Sequence, residues 1–211
     1  MKSHSGCLDS FVPMTRLPEP EAVDDTTAEL ARRAGSGDRV AQRELFQALK
    51  PCLHATLYRV LGSNAHMEDL LQDTFIEVYR SLPSYRGDAK LSTWADRIAL
   101  RVAYRHFKRE RSARRRALAE PALSLVSSSE EEMLHREGVR RLYTVLSALK
   151  PEARVAFALF AVDGRSLREV ADLMGATLMA TKSRIWRARR ELNAAAQADG
   201  ILARYLGGAE S

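Results

Sequence analysis

Cysteine is nearly absent: there are two among 211 residues, Cys7 and Cys52. Neither sits at a metal-ligand spacing. Cys52 and His54, two apart on an expected helix, point to different faces, so no metal site is expected. A disulfide is not expected in a reducing compartment. Glycine and proline are sparse, at 11 and 7 residues, which together with long runs of helix formers favours an all-α chain. No apolar run approaches the ~20 residues needed to cross a bilayer. The opening MKSHSGCLDSF lacks a signal peptide's apolar core. The chain is therefore expected in the cytoplasm, without membrane insertion. Its histidines, His4, His54, His66, His106 and His135, are scattered, and its acidic residues read as helix surface rather than as facing groups in a cleft. That is no catalytic constellation, so neither an enzyme nor a cofactor is expected.

What the chain does have is positive charge. A formal charge of +6 and a pI near 9.6 suit a polyanionic partner, and a hydrophobic fraction of 45% supports packed cores. The charge is concentrated between Leu91 and Arg116, where nine residues are Lys or Arg. Arg97, Arg101, Arg105 and Arg109 recur every four residues on one helical face, while Trp94, Ile98 and Val102 do so on a neighbouring face. One stripe can be buried with the other held out as cations, Tyr104 and Phe107 lying among the arginines. A basic stripe edged by aromatics fits nucleic acid; a solvated amphipathic helix is the plainer reading of the same pattern.

Read in order, residues 1–24 carry Pro13, Pro18 and Pro20 without periodicity, which predicts a disordered tail. A first helical domain is expected over 25–111. Thr26 and Glu29 have capping-box spacing. Asp38 caps a helix carrying Leu45, Leu49, Leu53 and Leu57, which Pro51 should kink or divide and Gly62 should close. The next helix buries Leu70, Leu71, Thr74, Phe75 and Val78. It leaves Glu68, Asp69, Gln72, Asp73 and Glu77 outside with Ile76, an acidic surface in a basic protein. Pro83 ends it, and a polar loop from Ser84 to Thr93 leads to Trp94. Past Arg111 the pattern fails, predicting a flexible linker over 112–130.

A second helical domain is expected over 131–200, followed by a C-terminal tail over 201–211. Pro151 opens a helix that turns Val155, Leu159 and Phe160 inward. Ser166 and Glu169 form another capping box, and the helix they start puts Leu167, Val170, Ala171 and Met174 on one face. Gly175 then turns into a last helix, making a helix-turn-helix. Leu178, Thr181, Ile185, Ala188 and Leu192 form its inward stripe. Ser183, Arg187 and Arg190 project outward beside Trp186, with Lys182, Arg184 and Arg189 on the flanks. Arginine can pair with guanine through two hydrogen bonds, while flanking cations suit phosphates.

Glu68 to Arg111 and Gly164 to Leu192, in this order and across a tether, resemble regions 2 and 4 of the small two-domain extracytoplasmic-function sigma factors of bacterial RNA polymerase. The resemblance covers Glu29 to Asn193. It implies a non-enzymatic promoter-specificity subunit. Asp69, Gln72, Asp73, Ile76 and Glu77 would bind the clamp coiled coil of core polymerase, and the flap is a second core contact. Tyr85, Arg86, Gly87, Trp94, Arg97, Arg101, Arg105 and Lys108 would open and read the minus-10 element, with a flipped base held by the loop and helix. Lys182, Ser183, Arg184, Trp186, Arg187 and Arg190 would read the minus-35 element. The resemblance also implies an anti-sigma factor, in many relatives membrane-bound, that covers the polymerase-binding surfaces and can hold the chain at the membrane.

The sequence departs from the family pattern at Met67, at Asp96 and Arg101 near the minus-10 pocket, and from Thr177 to Thr181 at the recognition-helix start. The differences at Asp96 and Arg101 are expected to alter minus-10 preference. The alternative class is a free-standing dimeric helix-turn-helix repressor or activator, which would bind a palindromic duplex without polymerase.

Overall fold

The computed structural model describes residues 25–114 and 130–207, and every regular element among them is helical. The expected tail over 1–24, positions 115–129 of the expected linker, and residues 208–211 lie outside the described residues.

The first domain comprises α1 (Asp25–Gly35), α2 (Arg39–Leu61), α3 (Met67–Ser81) and α4 (Leu91–Arg114). The Asp38 carboxylate caps α2 by accepting from the Val40 and Ala41 N–H groups. Gly62 ends the helix in the left-handed region at φ 76°, its N–H bonded to the Tyr58 carbonyl. Pro51 stands inside α2 without dividing it. The lost hydrogen bond and ring clash cost about 3 kcal/mol, and burial of Leu45 and Leu49 before it and Leu53 and Leu57 after it offsets that cost. In α3 the stripe Leu70, Leu71, Thr74, Phe75 and Val78 is buried as its spacing predicts. A 3₁₀ turn, Leu82–Ser84, follows and contains Pro83. Helix α4 begins at Leu91, before Trp94, and continues past Arg111 to Arg114. The apolar pattern stops at Arg111, but Ser112, Ala113 and Arg114 contain no helix breaker.

The second domain comprises α5 (Glu130–Ala148), α6 (Pro151–Phe157), α7 (Leu167–Met174), α8 (Leu178–Ala198) and α9 (Gly200–Gly207). Helix α6 runs into a π-helical turn, Ala158–Val162, closed by the Asp163 N–H on the Ala158 carbonyl. Both bonds of the Ser166–Glu169 capping box form, at 3.2 and 2.7 Å. Gly175 adopts the left-handed conformation that turns α7 into α8, which Thr177 caps. Leu178 does not join the inward stripe. It lies in the first turn of α8 and is exposed, so the buried row starts at Thr181 and continues through Ile185, Ala188 and Leu192. The expected tail from 201 is replaced in part by α9. Asp199 accepts from the Ile201 and Leu202 N–H groups, and Leu202 and Leu206 are buried where α9 meets α5 and α8. The eight residues of α9, about two turns, are too few to show a period in the sequence.

The two domains also touch. Residues of α2 and α4 share one apolar cluster with Val155, Leu159, Val170, Leu173 and Ile185 of the second domain. Helix α4 packs against both α6 and α7, and α2 packs against the π turn.

Candidate functional site

The loop before α4 is built around an aromatic pair. Tyr85 and Trp94 have ring centroids 5.2 Å apart and tilted by 50°, and the Tyr85 hydroxyl donates to the Ala89 carbonyl at 2.7 Å. Gly87 sits between them at φ 79°, a conformation that a side chain would strain. Arg86 and Gly87 are exposed, and Tyr85 and Trp94 are half-buried. Two ring faces at a loop-helix junction form a ready stacking surface for a base.

Along α4, Arg101, Arg105, Lys108 and Arg109 are exposed, as the four-residue spacing requires. Arg97 is half-buried, and its Nε is buried without a hydrogen-bond acceptor. The aromatics expected among these arginines face elsewhere. Phe107 is 3% exposed under the Arg154 guanidinium, and Tyr104 donates to Glu152 at 2.9 Å. Asp96 does not face the loop either. It lies two residues, about 200°, around the helix from Trp94 and is 2% exposed at the contact with the second domain.

On α3, Asp69, Gln72, Asp73 and Ile76 are exposed, Ile76 at 41%, and Glu77 is half-buried. Asp69, Gln72 and Ile76 line a groove of about 920 Å³ whose other wall includes Phe46, Lys50 and His54 of α2. Phe46 stands over Phe75 with centroids 4.4 Å apart, and its exposed edge adds apolar surface to the acidic face. Glu77 accepts from Arg105 at 3.1 Å, so the acidic face and the basic stripe meet at this ion pair.

On α8, Lys182, Trp186, Arg187 and Arg190 are exposed, and Ser183 and Arg184 are half-buried. Arg187 donates to the Ser183 hydroxyl at 3.0 Å, and the Arg190 guanidinium lies 5.2 Å from the Trp186 ring centre. These contacts hold the outward row in a common orientation. Met179, at 75% exposure, stands in the first turn of the same helix, where apolar contact with a thymine methyl is available.

Four charged residues at the domain contact were not singled out by sequence reasoning. Arg154 is buried, donates to the Val60 and Leu61 carbonyls at 3.3 and 2.9 Å, and thereby caps the end of α2 from the other domain. Arg165 binds Asp96 at 3.0 Å and Asp163 at 2.5 Å, and Asp163 in turn pairs with Arg59. Burial pushes the Asp96 carboxyl above the usual carboxylate range, against the opposing pull of Arg165 and a hydrogen bond from Thr56. The signal available in sequence was Arg154 itself, a lone cation inside the apolar run from Ala153 to Ala161. Among the described residues no group of three or more His, Cys, Asp or Glu is placed to hold a metal, and no helix is long and apolar enough to cross a membrane.

Residues 45–113 match the family model for Sigma-70 region 2, and residues 139–192 match that for Sigma-70, region 4. The chain is 30% identical over 174 residues to the ECF RNA polymerase sigma-E factor of Haemophilus influenzae, covering 78% of this chain and 92% of that one. It is 29% identical over 178 residues to the protein of that name from Escherichia coli, covering 80% and 93%. Among solved structures it resembles CnrH in complex with the cytosolic domain of CnrY, with TM-score 0.53 and 25% identity over 83% of this chain and 99% of that one. It shares its fold with the sigma factor RpoE of Bartonella quintana, solved with the anti-sigma factor NepR. There the TM-score is 0.53, with 22% identity over 74% of this chain and 97% of that one.

Proposed function

The chain belongs to the extracytoplasmic-function group of RNA polymerase sigma factors, and from that membership we propose how its surfaces divide the work of promoter recognition. The acidic face of α3, with Asp69, Gln72, Asp73, Ile76 and Glu77, receives the clamp coiled coil of core polymerase, and the second domain meets the flap. Tyr85, Arg86, Gly87 and Trp94 receive an unpaired base of the minus-10 element. Arg97, Arg101, Arg105 and Lys108 follow the adjoining backbone. Extrusion costs a few kcal/mol, which stacking on Tyr85 and Trp94 and phosphate contacts along α4 would offset. Lys182, Ser183, Arg184, Trp186, Arg187 and Arg190 read the minus-35 duplex. The chain performs no chemistry of its own and acts in the cytoplasm.

The observation that supports this reading most is the Tyr85–Trp94 pair beside exposed cations in one domain, with a capped helix-turn-helix presenting exposed cations in the other. One surface suits an unstacked strand and the other a duplex. An anti-sigma partner is part of the proposal. CnrH, at 25% identity, is seen bound to the cytosolic domain of another protein, and the groove between α2 and α3 offers apolar surface rimmed by charge to a partner of this kind.

Run-off transcription tests the reading. Core polymerase plus this chain should give discrete, promoter-dependent transcripts from fragments of its own genome, with shared sequence upstream of the start sites. No transcript beyond that of core alone, on any fragment, would refute it.

A further inference from the structure

The first turn of α8 differs in chemistry from the rest of its outward face. From Lys182 to Arg190 the helix carries five cations and no acid. Before them, Leu178, Met179 and Ala180 bring no charge, and Leu178 and Met179 are exposed, at 43 and 75%. Met179 is the most exposed large apolar side chain among the described residues. A lone apolar side chain in water needs no explanation. The place of this one gives it a use.

At about 100° per residue, Met179 lies about 180° around the helix from the fully buried Ala188, and so stands directly away from the core. Ser183, Trp186 and Arg190 fall within about 40° of it, so Met179 extends the row assigned to the minus-35 duplex. Along the axis it stands about 10 Å before Trp186, or about three base-pair steps of 3.4 Å. It therefore addresses a different base pair from Trp186. The backbone there is fixed, because Thr177 accepts from the Ala180 N–H at 3.2 Å and Gly175 sets the entry turn at φ 57°. In a helix-turn-helix the N-terminal residues of the second helix contact base edges, and Met179 is the second residue of α8.

A thioether offers no hydrogen-bond donor and only a weak acceptor. Pressed on a base edge in the major groove, it would leave the amino group of cytosine or adenine, or the carbonyl of guanine, without a partner. Thymine differs, because its C5-methyl group is apolar surface that the thioether can cover. The neighbouring arginines do not make this distinction, since they pair with acceptors and phosphates. A protein surface is the rival occupant for Met179. Five cations without an acid immediately beyond it favour a polyanion.

We propose that Met179 is a specificity-determining residue of the minus-35 reader, selecting thymine at one base pair by covering its C5-methyl group. The proposal rests on the assignment of α8 to the minus-35 duplex and adds to it a position read by apolar contact. The stretch from Thr177 to Thr181, where the sequence departs from the family pattern, is thereby the source of a promoter preference particular to this chain.

The test uses core polymerase with the full-length wild-type chain, Met179→Ala or Met179→Gln. Each holoenzyme selects from duplexes randomised across the minus-35 element. The sequence that wild type selects is resynthesised with deoxyuracil in place of thymine, one position at a time, which removes only the methyl group. At one position wild type should select thymine and lose about three- to fivefold in affinity to deoxyuracil. Both variants should lose that selection and bind the two duplexes equally. Glutamine keeps the length of methionine, so its loss tracks the apolar end rather than bulk. Wild type indifferent to deoxyuracil throughout the element would overturn the proposal, as would variants that keep its full sensitivity. Weaker binding of Met179→Ala to core polymerase without DNA would place the side chain on a protein contact and overturn it too. Wild-type holoenzyme that selects no minus-35 sequence would sink the assignment of α8 itself, whereas a selected sequence indifferent to Met179→Ala sinks only the role of Met179.

Discussion

Arg165 reaches across the domain boundary to bind Asp96 at 3.0 Å, and Cys52 lies against the same carboxylate, with Sγ 3.8 Å from Oδ1. Three residues separated by many tens of positions thus report on one contact. The state of the thiol is a readout of whether that contact is closed.

Burial, and then the negative charge of Asp96, push the Cys52 thiol up to about 12. At pH 8 this leaves about a thousandfold less thiolate than an ordinary cysteine has. In a Cys7→Ser background, iodoacetamide should therefore modify Cys52 at least about a hundredfold more slowly in the native chain than in denaturant. Arg165→Asp should speed the native reaction, as followed by intact mass.

Glu137 links α5 to the C-terminal helix through its ion pairs. It accepts from Arg140 and from Arg141 at 2.7 Å, and Arg141 also binds Asp199, the cap of α9, at 2.6 Å. The hydrogen bond from Arg140, with that from Arg141, holds the Glu137 carboxyl down at about 2, against an ordinary 4.5. A depressed carboxyl contributes stability above its unfolded pKa and loses it as pH falls toward the folded one. Melting temperature should therefore drop between pH 4.5 and 2, and Glu137→Gln should flatten that slope. At pH 7 the substitution should cost no more than about 1 kcal/mol, because the pair is partly hydrated.

Helix α9 is structural. Leu202→Ala should destabilise the second domain by about 2–5 kcal/mol, measured by urea unfolding. A loss near zero would mean that the segment contributes nothing to the core.

Much of this was legible from spacing. Capping residues Asp38 and Ser166, the glycine stops at Gly62 and Gly175, and the buried stripe of α3 are local chemistry, and local chemistry is what a sequence states directly. The candidate DNA-facing cations on α8 were legible because an inward row excludes them from the core. The domain contact was not. Asp96 and Arg165 are 69 positions apart and polar, so each reads as surface until the other is placed beside it. Phe107 was misread for the same reason, since its cover, Arg154, comes from the other domain. Leu178 was misread because helical periodicity carries no information about where the neighbouring helix ends.

In the outward row of α8, Arg187 is held by Ser183 at 3.0 Å and aimed away from the core. Arg187→Ala should weaken binding of holoenzyme to the minus-35 element by about 1–3 kcal/mol and relax preference at one base pair. Selection from a randomised minus-35 element would measure both. An equal loss on every sequence would place the guanidinium on a phosphate instead.

A sigma factor reads promoters as part of polymerase, whereas a free-standing repressor or activator reads them alone. Gel mobility of a promoter fragment should be measured with the chain, with core polymerase, and with both. A specific, heparin-resistant complex is predicted only when both are present, with reactive unpaired thymines at the minus-10 element. Tight binding by the chain alone to a palindromic site, with half-sites about one helical turn apart and no dependence on core, would contradict it.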